Sequence, residues 1–397
     1  MKELCPVCNT EYSQNVKVCE LCGFADELGI NRTWLIAEDA ENWLNNVVRP
    51  YRVQWHNKIK KMKISKPGAD EYISRSRAYN SKGDYDRGIA ELNEAIRLYP
   101  DCIDEYFIRA SVYSLKNDLE RAIADYSEFI RLEPDNAYAY YDRGDAYRKK
   151  GDVDLAIADY DEAIRLAPDF ANAYFYRGIT YHNKGDVDLA IADYSEAIRL
   201  DSNLADAYNG RGIAYYKKGD FDRAIADYNK VIRLDPKDAK AYNRRGLAYL
   251  EKGCFDQAIT DFNEAIRLDP NDAVAYNNRG NAYCKKGDLD RAIADYNKAI
   301  RLDPNDAVAY YNRGIAYYKK GDFDRAIADY SKAIEFNPNY ALAYAKCGKA
   351  YKKLGQKDQA IKNFAKALSL DSKLDWVRRE LQEFPDFSET KKRNGNQ

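Results

Sequence analysis

Residues 273–306 read AVAYNNRGNAYCKKGDLDRAIADYNKAIRLDPND, and the pattern in this stretch decides the fold. The same 34-residue pattern runs nine times in register, in units that begin at residues 69, 103, 137, 171, 205, 239, 273, 307 and 341. Together the units span residues 69–374 of a 397-residue chain. Repeats of this length stack so that each packs on its neighbours, which predicts an elongated array rather than a globule around one site.

Each unit predicts two helices in close contact. Positions 4 and 11 are Tyr in all nine units, position 24 is Tyr, Phe or Leu, and positions 8 and 20 carry only Gly, Ala or Ser. Large side chains opposite small ones are typical of helices that pack closely. Gly or Asn at position 15 predicts the end of the first helix. Asp at position 16 predicts the N-cap of the second helix, and Pro at position 32 in seven units follows its end.

These positions resemble the tetratricopeptide repeat family. The family pattern has an aromatic residue at 4, Gly or Ala at 8, Tyr at 11, Ala at 20, an aromatic residue at 24, Ala at 27 and Pro at 32. The seventh unit meets all of it, with Tyr276, Gly280, Tyr283, Ala292, Tyr296, Ala299 and Pro304. The resemblance implies an all-α, right-handed superhelical solenoid of nine helix-turn-helix units, with the first helix of each unit lining the inner surface.

One position departs from the family pattern. Position 7 is usually Leu in the family, yet it is Arg in eight units, and position 23 is acidic in the same eight. In the ninth unit both change together, to Cys347 and Asn363. This covariation within the chain predicts an Arg–carboxylate pair between the two helices of a unit. The alternative is that these Arg residues bind an acidic ligand.

Four cysteines near the start predict a metal site. Cys5, Cys8, Cys19 and Cys22 form two C-x2-C pairs separated by ten residues. Four thiolates are the tetrahedral ligand set that Zn²⁺ prefers, and such a closed site leaves no position for water or substrate. The spacing resembles short zinc-ribbon modules, so we predict a zinc ribbon over residues 1–24 with structural zinc. Iron in place of zinc stays open.

The segments on either side of the repeats have separate predictions. Residues 25–68 predict a helical connector, and Arg49 to Lys66 holds seven Lys or Arg and no acid. Such a stretch beside a zinc ribbon either contacts nucleic acid or forms a solvated helix face. Residues 375–385 predict a helix that covers the last repeat, with an apolar stripe that includes Trp376 and Leu381. Residues 386–397 predict a disordered tail.

The overall composition restricts the class of protein. The formal net charge of −1 comes from 63 basic and 64 acidic residues, so no global field favours nucleic acid or an anionic membrane. We expect no membrane span, because no run of 18 apolar residues occurs. Residues 1–8 lack the apolar core of a secretory signal, which favours a cytoplasmic location.

The inner surface that the resemblance implies contains the candidate binding residues. Position 5 is aromatic in units two to four, Asn in units five to seven, and aromatic again in unit eight. Asn offers a donor and an acceptor to a peptide amide, and aromatic residues anchor apolar side chains. The alternative is that these are unconstrained, solvent-facing polar residues. We predict a peptide-binding groove formed by Tyr141, Phe175, Asn209, Asn243, Asn277, Asn278, Tyr311 and Asn312.

The predicted function is that of a non-catalytic scaffold or adaptor. It would bind extended peptide segments or partner proteins in the groove. No phosphate-binding loop, nucleophile motif or open metal site occurs in the sequence, which predicts that the protein is not an enzyme. One alternative is a nucleic-acid-associated factor that uses the zinc ribbon and residues 49–66. Another is a regulatory subunit of an enzyme complex. The identity of the partner and self-association stay open.

Overall fold

A computed structural model describes residues 3–4, 11–12, 68–99 and 103–384 of the chain. Two short strands, β1 (Glu3–Leu4) and β2 (Glu11–Tyr12), pair antiparallel, with Glu3 opposite Tyr12. The four cysteines of the predicted zinc ribbon, the connector over residues 25–67 and the tail over residues 386–397 lie outside the described residues. The zinc ribbon, the connector and the disordered tail therefore stay predictions.

The described part of the repeat region is entirely helical, as predicted. Residues 68–99 and 103–384 contain nineteen helices, eighteen in the nine units and one after them, and the chain divides into two compact units between Asp186 and Val187. We call α1–α7 the first body and α8–α19 the second body. The helices are α1 (Ala69–Asn80), α2 (Tyr85–Leu98), α3 (Asp104–Leu115), α4 (Leu119–Leu132), α5 (Ala137–Lys150), α6 (Val153–Leu166), α7 (Ala171–Lys184), α8 (Val187–Leu200), α9 (Ala205–Lys217), α10 (Phe221–Leu234), α11 (Ala239–Glu251), α12 (Phe255–Leu268), α13 (Ala273–Lys286), α14 (Leu289–Leu302), α15 (Ala307–Lys320), α16 (Phe323–Phe336), α17 (Ala341–Lys353), α18 (Lys357–Leu370) and α19 (Asp375–Gln382).

The turn inside each unit is set by two consecutive positions. Position 15 has a positive φ in all nine units, at Asn117 and at eight glycines. Gly and Asn tolerate this left-handed conformation best, so the first helix ends there. At position 16, Asp220 accepts a hydrogen bond from the backbone N–H of Arg223, and four other units repeat this N-cap. Helices α1–α18 therefore begin and end as the nine-unit pattern predicts, two to a unit.

The two helices of a unit meet where small residues face large ones. A Cβ added at Gly280 would lie 2.7 Å from Cε1 of Tyr296, and one at Gly246 would lie 2.7 Å from Cε1 of Phe262. Both rings are buried. These distances are too short for real atoms, so position 8 must stay small for the helices to approach this closely.

The last helix covers the end of the second body. Val377, Leu381 and Phe384 are buried against Phe364 and other residues of the ninth unit. This is where the sequence predicts a helix that covers the last repeat. The helix ends at Gln382 rather than at residue 385. The reason is local, because the residue before a proline is disfavoured in helical conformation and residue 385 is Pro.

Candidate functional site

Six of the eight arginines at position 7 each join three helices. In the sixth unit, Nε of Arg245 donates to Oδ2 of Asp261 at 2.8 Å, and Nη2 donates to Oδ1 at 2.6 Å. The remaining nitrogen, Nη1, donates to Oδ1 of Asn229 on the preceding unit at 2.6 Å. A guanidinium held in this way fixes the two helices of its own unit and the spacing to the unit before it.

This three-way contact recurs through both bodies and confirms the predicted pair. The pKa of Arg211 is raised by its hydrogen bond to Asp227, whereas burial raises the pKa of Asp261. The carboxylates are buried and each faces its guanidinium, so the alternative of Arg residues directed at an acidic ligand does not describe these groups. The same geometry holds Arg109 with Asp125 and Asn93, Arg143 with Asp159 and Ser127, Arg211 with Asp227 and Ser195, Arg279 with Asp295 and Asn263, and Arg313 with Asp329 and Asn297.

The third partner was missed by sequence reasoning. It always stands at position 25, which is Asn, Ser or Asp in the first eight units and Ala365 in the ninth. The signal was present, because the ninth unit loses the arginine, the acid and the polar residue together. Cys347, which replaces the arginine there, is buried, and burial raises the pKa of its thiol to about 12.

The predicted asparagine groove forms a second ladder between units. Nδ2 of Asn278 donates to Oδ1 of Asn243 at 2.9 Å, and Nδ2 of Asn312 donates to Oδ1 of Asn277 at 3.0 Å. Oδ1 of Asn209 accepts in the same way from Arg244, at 2.8 Å. The acceptor atoms of position 5 are therefore engaged by position 6 of the following unit. Whether the amides also contact a peptide stays a prediction.

The aromatic residues predicted to flank the asparagines pack inside their own bodies. The ring of Tyr141 lies 4.9 Å from that of Phe170, centroid to centroid, and 5.7 Å from that of Tyr176. Tyr311 is buried 4.9 Å from Tyr340, and burial raises its pKa to about 12. Phe175 contacts Tyr176 at 5.1 Å. The Tyr141–Tyr176 contact stabilises the packing of α5 on α7, whereas Phe175 and Tyr176 are neighbours on one helix.

Three apolar side chains stand exposed at one end of the first helices of the last three units. Val274, Val308 and Leu342 occupy position 2 of α13, α15 and α17, and their exposed fractions are 59%, 46% and 40%. We call them the apolar row. Earlier units carry Asp, Asn, Lys or Tyr at this position. Exposed apolar residues in register over three units are typical of a contact surface.

The other end of the same three helices is basic. Lys285, Lys319 and Lys353 occupy position 13 of α13, α15 and α17, and all three are exposed. We call them the basic row. A cation in the last turn suits the helix dipole. Along α13 and α15, the first-helix surface of the second body thus changes from apolar through asparagine to basic, whereas α17 has Ala345 and Lys346 in place of the asparagines.

Metal-binding clusters and membrane-spanning helices are both absent from the described residues. No group of three or more His, Cys, Asp or Glu among them could hold a metal ion. None of the described helices is both long enough and apolar enough to cross a bilayer.

The fold and this surface define a repeat protein built from stacked helix pairs. The profiles of the tetratricopeptide repeat family match residues 72–102, overlapping segments from 110 to 321, 307–340 and 341–374. The chain belongs to the tetratricopeptide repeat family. Proteins of this fold are scaffolds for protein–protein interaction.

Several solved structures are similar to this chain. The C-terminal part of a TPR repeat-containing protein from Cytophaga hutchinsonii is 24% identical, with a TM-score of 0.51 over 60% of this chain and 97% of that chain. The Cut9–Hcn1 hetero-tetramer of the APC/C is 16% identical, with a TM-score of 0.50 over 86% and 82%. MamA is 36% identical, with a TM-score of 0.38 over 41% and 95%. No curated protein matches the chain.

Proposed function

We propose that the protein is a non-catalytic adaptor that binds an extended segment of a partner protein on the first-helix surface of its second body. The observation that carries this proposal is the apolar row. Leaving Val274, Val308 and Leu342 in water is unfavourable, and a partner that covers them recovers the free energy of apolar burial.

The basic row indicates the chemistry of the partner. Lys285, Lys319 and Lys353 stand at the opposite end of the same helices, so a segment that crosses α13, α15 and α17 meets apolar and cationic side chains together. A peptide with alternating apolar and acidic residues complements both rows. The asparagines of α13 and α15 lie between the two rows and would form part of the floor of this groove.

A peptide-display selection on the full-length protein tests the proposal. We expect enriched sequences to combine apolar and acidic residues. The test variant carries Val274→Asn, Val308→Asn and Leu342→Asn together, because the fourth unit has Asn172 at this position and the change should not disturb folding. We expect this variant to lose the enrichment.

The matched control is Leu189→Gln. Leu189 is as exposed as the apolar row but lies at position 19, where the sixth and ninth units carry Gln257 and Gln359. The control should select the same peptides as the unmodified protein. Equal selection by the triple variant, or no enrichment by the unmodified protein, would contradict the proposal.

A further inference from the structure

Lysines gather where the last repeat meets the terminal helix. Lys346, Lys349 and Lys352 follow one another at three-residue spacing on α17, so they share one side of that helix. Trp376 of α19 lies against them, with its ring centroid 5.2 Å from Nζ of Lys346 and 5.7 Å from Nζ of Lys349. An indole face attracts ammonium groups and holds both side chains in place.

The carboxylates nearby neutralise only part of this charge. Nζ of Lys352 lies 2.6 Å from Oε2 of Glu380 and 2.6 Å from Oε2 of Glu383. These two carboxylates of the C-terminal segment therefore form their shortest ion pairs with Lys352. Lys349 reaches Glu380 only at 3.7 Å. Among the described residues, no carboxylate forms an ion pair with Lys346.

A further lysine adds to the unneutralised charge. Lys319 of α15 donates to the backbone carbonyl oxygen of Cys284 at 3.3 Å and likewise forms no ion pair among the described residues. The pKa of Lys346 is lowered by burial and, secondarily, by Lys349 and Lys319. Lys346 therefore carries a charge that is disfavoured by burial and by these two neighbouring lysines. Such an arrangement is relieved when an anion binds between them.

We propose that Lys319, Lys346 and Lys349, bounded by Trp376, form a binding site for a carboxylate group of an acidic polypeptide segment. The proposal rests on the proposed function and names one anchor point within it. Leu342 of the apolar row lies in the first turn of the same helix α17, so a segment held here by its carboxylate also reaches apolar surface. That combination favours a polypeptide over a nucleic acid.

Two synthetic peptides test the site on the full-length protein by fluorescence anisotropy. One alternates leucine and glutamate, and the other has glutamine in place of each glutamate. We expect the glutamate peptide to bind at least tenfold more tightly, and its affinity to fall as salt rises. Lys346→Met, which keeps the apolar stem against Trp376, should weaken binding of the glutamate peptide by roughly tenfold.

The control variant is Lys366→Met, an exposed lysine on the second helix of the same unit, and it should bind like the unmodified protein. Because Lys346→Met removes repulsion, it should melt at the same temperature as the unmodified protein or higher. Lys319→Met is the second test variant and should also weaken binding.

Three outcomes would overturn the carboxylate site. They are equal affinity for the two peptides, unchanged affinity in both lysine variants, and tighter binding of an oligouridylate than of the glutamate peptide. Equal affinity for both peptides that is lost in the Val274, Val308 and Leu342 variant would leave the adaptor proposal standing, so the two failures are distinguishable.

Discussion

At the scale of single residues, the arginine at position 7 is the most heavily connected group of the repeat. Its guanidinium contacts a buried carboxylate of its own unit and a polar side chain of the unit before it. A buried ion pair contributes little net stability compared with a well-packed apolar pair, but loss of one partner leaves a buried charge uncompensated. The pairs therefore act mainly to fix which side chains face one another.

The double-mutant cycle of Arg211 and Asp227 checks this interpretation. We expect Asp227→Ala to cost about 3 kcal/mol of unfolding free energy, because it leaves Arg211 half-buried without its carboxylate. The double variant Arg211→Ala, Asp227→Ala should cost at least about 1 kcal/mol less than the sum of the two single variants. Urea unfolding followed by circular dichroism gives the three values. Strict additivity would show that the pair has no mutual interaction.

A second residue-scale feature is the buried carboxyl of Glu105. It stands at position 3, where the last seven units have fully buried Ala, and its Oε2 meets no hydrogen-bond donor among the described residues. Burial raises the pKa of this carboxyl. The folded state therefore favours the protonated carboxyl. The protein keeps this part of its stability at low pH and loses it as the pH rises through the folded-state pKa of Glu105.

We expect Glu105→Ala to stabilise the protein at pH 7 by about 1–3 kcal/mol, the usual cost of an unsatisfied buried polar group. The gain should shrink toward pH 4, where the carboxyl of the unmodified protein is protonated in both states. Thermal unfolding at the two pH values measures the difference. Glu71→Ala, at the exposed equivalent position of the first unit, is the control and should have little effect. A destabilised Glu105→Ala variant would mean that the carboxylate has a stabilising partner.

At the scale of the helix pair, the contact between positions 8 and 24 sets how closely the helices approach. We expect Gly280→Ala to cost about 1–3 kcal/mol, since its Cβ would lie 2.7 Å from the ring of Tyr296. Adding Tyr296→Leu should recover part of the loss, because the first unit combines the larger Ser76 with Leu92. Urea unfolding of both variants measures this. A Gly280→Ala protein as stable as the unmodified one would show that the helices separate at no cost.

The sequence predicted these helix pairs well and the role of the groove residues less well. Positions 8, 11, 15, 16 and 24 obey local rules of packing and capping, so repetition of one pattern nine times was sufficient to place nearly every helix end. The bonds from Asn278 to Asn243 and from Asn312 to Asn277 join residues 35 apart. They depend on how one unit is turned relative to the next, which no pattern within a unit specifies.

At the scale of the whole molecule, basic and acidic residues balance, and the charge that matters is local. Salt bridges such as Lys286–Asp256 and Lys320–Asp290 join successive units along exposed turns. Such exposed pairs contribute little each. The lysines around Trp376 differ from these paired residues, because more lysines than carboxylates lie there.

The predicted zinc site also belongs to this scale, because it concerns a segment separate from the repeats. We expect the protein purified under reducing conditions to carry about one zinc per chain, since a four-thiolate site binds zinc tightly. Cys5→Ser should remove most of the metal, whereas Cys254→Ser, a free cysteine of the sixth unit, should not. Elemental analysis measures the content. Absence of both zinc and iron would contradict the prediction.

The polar residue at position 25 governs how this chain could lengthen. Any of the first seven units can be duplicated in place, because each offers the next unit an acceptor for its arginine. The ninth unit offers Ala365 instead, and the following helix α19 has Leu381, not arginine, at the corresponding position. A tenth arginine-bearing unit placed there would keep the carboxylate of its own unit but would leave Nη1 of its arginine without the acceptor that the preceding unit supplies elsewhere. Tandem duplication is thus more favourable in the interior of the array than after its ninth unit.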